Sequence, residues 1–169
     1  MEIIKFLQSF SNPFMDVFFQ MITMLGEDIF FIFIMAIIYW CVDKETGYKM
    51  AFAIITSTIV NFSLKEIFAI PRPIGEPGIR SLRLHTATGY SFPSGHTQST
   101  STFWTFLMGH LRRGWLYILG TCMILLVAVS RMYLGVHTLL DVVGGAIIGF
   151  LWIFVSNYIY ELSKKHNKK

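Results

Sequence analysis

Most of the side chains in this sequence that could do chemistry fall in three short stretches. They are Lys65-Glu-Ile-Phe-Ala-Ile-Pro-Arg72-Pro73, Pro93-Ser94-Gly95-His96, and Ser130-Arg131-Met-Tyr-Leu-Gly-Val-His137-Thr-Leu-Leu-Asp141. Together they supply three permanent cations (Lys65, Arg72 and Arg131), two imidazoles and, besides Glu66, the carboxylate of Asp141. That inventory suits a phosphoryl group, whose negative charge is spread over several oxygens and can be neutralised from several directions by Arg forks and a Lys point charge. Backbone N–H groups near Ser94 and Gly95 would add donors and a helix dipole, and Gly95 has no side chain to block an anion. His137 and Asp141 stand four residues apart, so a helix beginning at His137 would put both on one face. An Asp that accepts from one ring N–H fixes the tautomer and leaves the other nitrogen free to attack phosphorus. His96 remains to protonate the leaving group and then to activate water. His96, His137 and Asp141 could also ligate a metal by residue type, but three neighbouring cations would repel a divalent ion, so no metal and no cofactor is expected.

The elements that must position these residues belong in a membrane. Hydrophobic residues make up 54% of the chain and charged ones 14%, and several segments approach the roughly 20 apolar residues that cross a hydrocarbon core. The expected fold is all-α, a polytopic transmembrane helix bundle forming one domain over residues 1–169, with five spans at 29–42, 50–70, 94–110, 115–132 and 138–160. Ahead of these, Phe14, Val17, Phe18, Met21, Ile22 and Leu25 repeat at helical spacing. They predict an amphipathic helix over 3–25 in the interface, with a full span as the alternative. The first residues show no apolar run followed by a small-residue cleavage site, so no removable signal peptide is expected. Gly145 and Gly149 suit close helix packing. Cys41 and Cys122 lie in apolar segments without a spacing partner, which argues against a disulfide or a thiolate site.

Polar residues gather at one end of the spans. Asn61, Ser63, Lys65 and Glu66 close the second, Ser94 to Ser101 open the third, Ser130 and Arg131 close the fourth, and Asp141 lies at the start of the fifth. Taken singly each has a structural use, such as a helix-packing hydrogen bond for His137 or a snorkelling Arg131. Their coincidence at one end is what points to a site. Threading five spans puts Lys44, Lys49, Arg112, Arg113, Lys164, Lys165, Lys168 and Lys169 on one face and Lys5, Lys65, Arg72, Arg80, Arg83 and Arg131 on the other. Setting aside Lys65, Arg72 and Arg131 as site residues leaves eight against three. The positive-inside rule then makes the first face cytoplasmic, marked also by Tyr39, Trp40, Tyr48, Trp115, Tyr117, Tyr158 and Tyr160. The polar cluster faces outward. Although the net charge is +4, the basic residues form no extended face, so nucleic acid is not an expected partner.

The three stretches resemble the signature of the type 2 phosphatidic acid phosphatase superfamily: Lys, six residues, Arg-Pro; Pro-Ser-Gly-His; and Ser-Arg, five residues, His, three residues, Asp. All three parts match between Lys65 and Asp141 without a gap or substitution. The resemblance implies a metal-free integral membrane phosphatase of a bacterial cell membrane, with His137 as nucleophile, Asp141 as its orienting partner and His96 as acid. Lys65, Arg72, Ser94, Gly95 and Arg131 would hold the phosphate. The expected substrate is a membrane lipid phosphate or diphosphate, such as undecaprenyl diphosphate, phosphatidylglycerophosphate or phosphatidic acid, met in the bilayer. Two other readings compete. Vanadate haloperoxidases share such a cradle but are soluble, and a non-catalytic lipid-phosphate carrier would have no use for an oriented His137–Asp141 pair. Loop residues 74–92, with Glu76, Arg80, Arg83, His85 and Tyr90, are either headgroup contacts or a solvated lid.

Overall fold

A computed structural model describes residues 1–166. Among the described residues the regular structure is helical: α1 (Glu2–Ser9), α2 (Pro13–Met24), α3 (Asp28–Ile37), α4 (Lys44–Phe68), α5 (Gly95–Leu111), α6 (Gly114–Tyr133) and α7 (Leu139–His166), with a single 3-10 turn at Leu84–Thr86. After α3 the chain continues as a wider π turn over Ile38–Val42.

The expected helix over 3–25 is two helices. Asn12 caps α2 by accepting the Met15 N–H at 2.9 Å, and Pro13 occupies the first turn. An Asn-Pro pair starts a helix, so the apolar periodicity restarts there instead of running through. α1 buries Ile4 beside Ala128, Met132 and Val142, whereas Phe14, Val17 and Met21 of α2 point away from the protein. α4 begins six residues earlier than its apolar run, because Asp43 accepts both the Thr46 N–H at 2.7 Å and the Thr46 hydroxyl at 2.6 Å. It stops at Phe68, where Ala69 turns left-handed (φ 47°) ahead of Pro71.

α5 is the centre of the bundle and packs against α4, α6 and α7. Its polar first half is buried but satisfied. Gln98 donates to the Ser57 carbonyl at 2.8 Å and accepts from Asn61 at 2.8 Å, and the Ser57 and Thr102 hydroxyls meet at 3.0 Å. The α5–α7 contact depends on absent side chains: a Cβ on Gly145 would lie 2.6 Å from the Ser94 carbonyl oxygen, and one on Gly149 would collide with the Gln98 carbonyl. At the other end Phe31, Met50, Ala53, Ile54, Phe103, Phe106 and Ile153 form an apolar core.

Among the described residues three helices, α4, α6 and α7, are long and apolar enough to cross a membrane, and α2 with α3, bent by 50° at their junction, would add a fourth if they form one span. α5 has only 17 residues and opens with polar ones. The outer surface shows large exposed apolar residues such as Ile29, Phe33, Ile59, Ile118, Ile147 and Phe154, as a surface solvated by lipid requires. Lys168 and Lys169, which enter the charge count above, lie outside the described residues. Cys41 and Cys122 are both free and exposed.

Candidate active site

The three motif stretches meet where α4 ends, α5 begins and α6 turns into α7. Leaving α4 through Ala69, the chain carries Arg72 across the site. Its guanidinium donates to the carbonyls of Gly89 (2.9 Å), Thr88 (2.7 Å) and Val136 (3.1 Å), and Nη1 also lies 3.0 Å from Nε2 of His137. A guanidinium only donates, so Nε2 must accept, and the His137 proton sits on Nδ1. Lys65, one turn before the end of α4, is buried and donates to the carbonyls of Tyr90 and Ser91.

His137 precedes α7 instead of lying on its first turn. Gly135, at φ 67° and packed against the Arg80 carbonyl, lets the chain turn from α6 toward it. What brings Asp141 alongside is a capping box: the Thr138 N–H donates to Asp141 Oδ2 at 2.6 Å, and the Asp141 N–H lies 3.4 Å from the Thr138 hydroxyl. Oδ2 then stands 3.5 Å from His137 Nδ1. Burial pushes the His137 pKa down to about 3, and Arg131 and Arg72 act in the same direction against the pull of Asp141. The ring is neutral at ordinary pH, which a nucleophile requires. Burial also lowers the Arg72 pKa below its usual value.

A cavity of about 310 Å³ is lined by Lys65, Arg72, Gly95, His96 and His137 together with Glu27, Asp28, Thr58, Asn61 and Phe62. Arg131 lies fully buried near this wall, donating to the Thr23 hydroxyl at 3.0 Å and, at 3.4 Å, to that of Thr86. Its Nε and Nη2, like His96 Nε2 and Asp141 Oδ1, have no hydrogen-bond partner among the described residues. Buried polar groups are ordinarily paired; Arg83 Nε and Thr105 Oγ1 are unpaired among the described residues as well. Ser94 stands at the N-cap of α5, where its N–H donates to the Asp141 carbonyl at 2.9 Å and its hydroxyl meets that of Thr97 at 3.1 Å.

Sequence reasoning missed Ser91, Thr23 and Glu27. Ser91 is fully buried and donates to Asp141 Oδ2 at 2.6 Å; its only signal was a serine just ahead of the Pro93 motif. Thr23 lies on α2, remote in sequence from Arg131. Glu27 pairs with Arg83 at 2.5 Å, and Asp16 with Arg80 at 2.6 Å. These pairs fasten loop 74–92 to α2 and its exit.

Residues 46–165 match the family model of the PAP2 superfamily. The chain is 31% identical over 169 aligned residues to a probable sphingosine-1-phosphate phosphatase of Dictyostelium discoideum, an alignment covering 92% of this chain and 41% of that one. It thus spans about two fifths of that relative's length. Among solved structures it is similar to a transmembrane PAP2 type phosphatidylglycerolphosphate phosphatase from Bacillus subtilis, at a TM-score of 0.78 and 28% identity over 95% of this chain and 83% of that one. It is also similar to LpxE of Aquifex aeolicus, at a TM-score of 0.79 and 28% identity over 93% of each chain.

Proposed function

The chain belongs to the PAP2 superfamily, and from that premise we propose that it hydrolyses a lipid phosphate or lipid diphosphate without a metal, through a phosphohistidine on His137. The observation that carries this reading is the His137 ring itself: neutral, with its proton on Nδ1 toward Asp141 and its Nε2 lone pair held by Arg72 at the wall of a cationic cavity. A phosphate entering the cavity takes the Arg72 donor from Nε2 and finds Lys65, Arg131 and the opening of α5 at Gly95 and His96 around its other oxygens. The Nε2–P bond forms as the ester P–O bond breaks. His96, protonated beside the phosphate charge, gives its proton to the leaving oxygen. Neutral His96 then takes a proton from water as that water attacks phosphorus, and Nε2 leaves with its electron pair. Lys65, Arg72 and Arg131 supply the charge stabilisation that a metal supplies elsewhere.

Support for a lipid substrate comes from the cavity's flank. An apolar groove of about 290 Å³ runs between α3 and α4 along Phe31, Ile32, Met35, Ile54, Ile55 and Ile59, and shares Asp28, Thr58 and Phe62 with the phosphate cavity. A headgroup can sit at His137 while its chain lies in this groove, and each buried CH₂ is worth roughly 0.8 kcal/mol. Sphingosine-1-phosphate and phosphatidylglycerol phosphate, which name the relatives, join phosphatidic acid and undecaprenyl diphosphate as candidates. We take residues 29–42, 50–70, 94–110, 115–132 and 138–160 as the five spans of one domain over 1–169, with the site on the extracytoplasmic side of a cell membrane. The basic-residue count supports that orientation.

Purified protein is to be assayed in detergent against these lipids and a water-soluble phosphate ester, with and without excess chelator. The expected result is phosphate release from at least one long-chain lipid, higher kcat/KM for it than for the soluble ester, and no effect of chelator. Loss of activity on chelation, restored by one divalent metal, would overturn the mechanism; no release from any lipid would overturn the substrate class.

A further inference from the structure

Ser91 lies outside the matched motif residues, yet two of the three motif stretches bond to it and it stands two residues ahead of the third. Its N–H donates to the Ile70 carbonyl at 2.8 Å, its own carbonyl accepts from Lys65 at 3.4 Å, and its hydroxyl donates to Asp141 Oδ2 at 2.6 Å. The same hydroxyl oxygen lies 3.4 Å from Nδ1 of His137. A serine hydroxyl has one proton and two acceptor positions. A carboxylate can only accept, so the Ser91 proton goes to Asp141 and an oxygen lone pair is left to face the ring. The proton on Nδ1 therefore has two acceptors at nearly equal range, Ser91 Oγ at 3.4 Å and Asp141 Oδ2 at 3.5 Å.

We propose that Ser91 is a positioning residue for His137, holding the Asp141 carboxylate in place and sharing the Nδ1 proton, so that Nε2 is aimed at the phosphate. This rests on His137 being the nucleophile. As the Nε2–P bond forms, the ring becomes positive and Nδ1–H becomes a stronger donor. Ser91 Oγ, polarised by its own donation to Oδ2, passes the carboxylate's influence to the ring while the proton stays on Nδ1. Without the hydroxyl, Oδ2 keeps the Thr138 N–H but loses its other short donor, and the ring loses one of two acceptors. Lys65 reaches only the Ser91 carbonyl, and neither it nor Arg72 nor Arg131 bonds to the hydroxyl, so removing that hydroxyl acts on the chemical step and not on affinity.

The test uses purified full-length protein and whichever of sphingosine-1-phosphate, phosphatidylglycerol phosphate and phosphatidic acid it turns over fastest. Ser91→Ala is expected to lower kcat about 10- to 100-fold, the usual scale for a group that orients a reactive ligand. KM should stay within about twofold. Ser91→Thr, which keeps the hydroxyl, should recover most of the activity. If its extra methyl disturbs this buried position, as thermal unfolding will report, Ser91→Cys serves instead, since a thiol of similar size is a poor donor and should behave like alanine. Wild-type kcat in Ser91→Ala, a loss confined to KM, or a fully active Ser91→Cys would each overturn the proposal. His137→Ala is the control for the underlying reading: turnover retained there sinks the nucleophile assignment, whatever the Ser91 variants do.

Discussion

Replacing Asp141 by Asn removes one negative charge while keeping nearly every atom in place, and the structure says which way the new amide will face. Two donors converge on Oδ2, the Ser91 hydroxyl and the Thr138 N–H, both at 2.6 Å. They require an oxygen there, so the Asn NH₂ goes to the Oδ1 position, which has no partner among the described residues. The capping box survives, and His137 Nδ1–H still faces an oxygen. Burying an unpaired amide end costs about 1–2 kcal/mol, which lowers Tm by a few degrees in a chain of this size. The larger effect is on the chemical step. A full charge on the ring 3.5 Å from the carboxylate is stabilised by about 4–5 kcal/mol at an effective dielectric constant of about 20. Since the ring carries only part of a charge in the transition state and a neutral oxygen still accepts, about 3–4 kcal/mol should be lost, or roughly 10²–10³ in rate. The assay is kcat and KM for Asp141→Asn with the preferred lipid phosphate, beside Tm and a folded-state size profile in detergent. A kcat within tenfold of wild type would refute the charge argument. A collapse of Tm would refute the claim that the cap is preserved.

His137→Ala should abolish turnover and leave the fold intact, since Arg72 keeps the carbonyls of Gly89, Thr88 and Val136; near-normal phosphate release by the purified variant would contradict this. Arg131→Met keeps bulk but removes a buried cation whose Nε and Nη2 are unpaired among the described residues, so Tm of the ligand-free protein should hold or rise while the Tm increase caused by vanadate disappears. A lowered Tm with vanadate stabilisation unchanged would show Arg131 to be structural. Gly149→Val pushes a branched side chain into the Gln98 carbonyl and Ser101, and should cost at least about 2 kcal/mol and most of the activity, read by thermal unfolding and turnover; wild-type stability would mean that α5 and α7 are not packed this closely. With Cys41 and Cys122 replaced, a cysteine at Glu76 should react with an impermeant thiol reagent in intact cells and one at Lys164 should not. The reverse pattern would invert the topology.

The helices were legible wherever apolar runs are long: the segments 115–132 and 138–160 stand within a residue or two of α6 and the start of α7. The misreadings have local causes. Hydropathy placed the start of the second segment at Met50, but the Asp43 cap begins the helix at Lys44, adding turns that carry Lys44, Glu45 and Lys49. In the segment 3–25 the Asn12-Pro13 pair was a start signal hidden inside an apolar pattern. The third segment reads as a short span from its polar opening, and in the fold those polar residues are the ones satisfied by α4 and α7, which is why so polar a helix can lie at the centre of the bundle.

Within the site, the residues that hold charge were readable because their types are costly in a membrane and recur at one end. What holds them was not, because the holding groups are backbone carbonyls and single hydroxyls. Arg72 is fixed by the carbonyls of Thr88, Gly89 and Val136, Lys65 by those of Tyr90 and Ser91, and Arg131 by the hydroxyls of Thr23 and Thr86. Carbonyls carry no sequence signature, and each hydroxyl is remote in the chain from its partner. The consequence is functional. A neutral carbonyl orients a cation without cancelling its charge, whereas a carboxylate would neutralise it. Arg80 and Arg83, which face Asp16 and Glu27, are neutralised in this way and fasten the loop. Lys65 and Arg72 line the cavity and Arg131 lies buried near its wall, none of them with a carboxylate partner among the described residues, so on the proposed reading a phosphate entering it would meet cations already oriented and not yet paired.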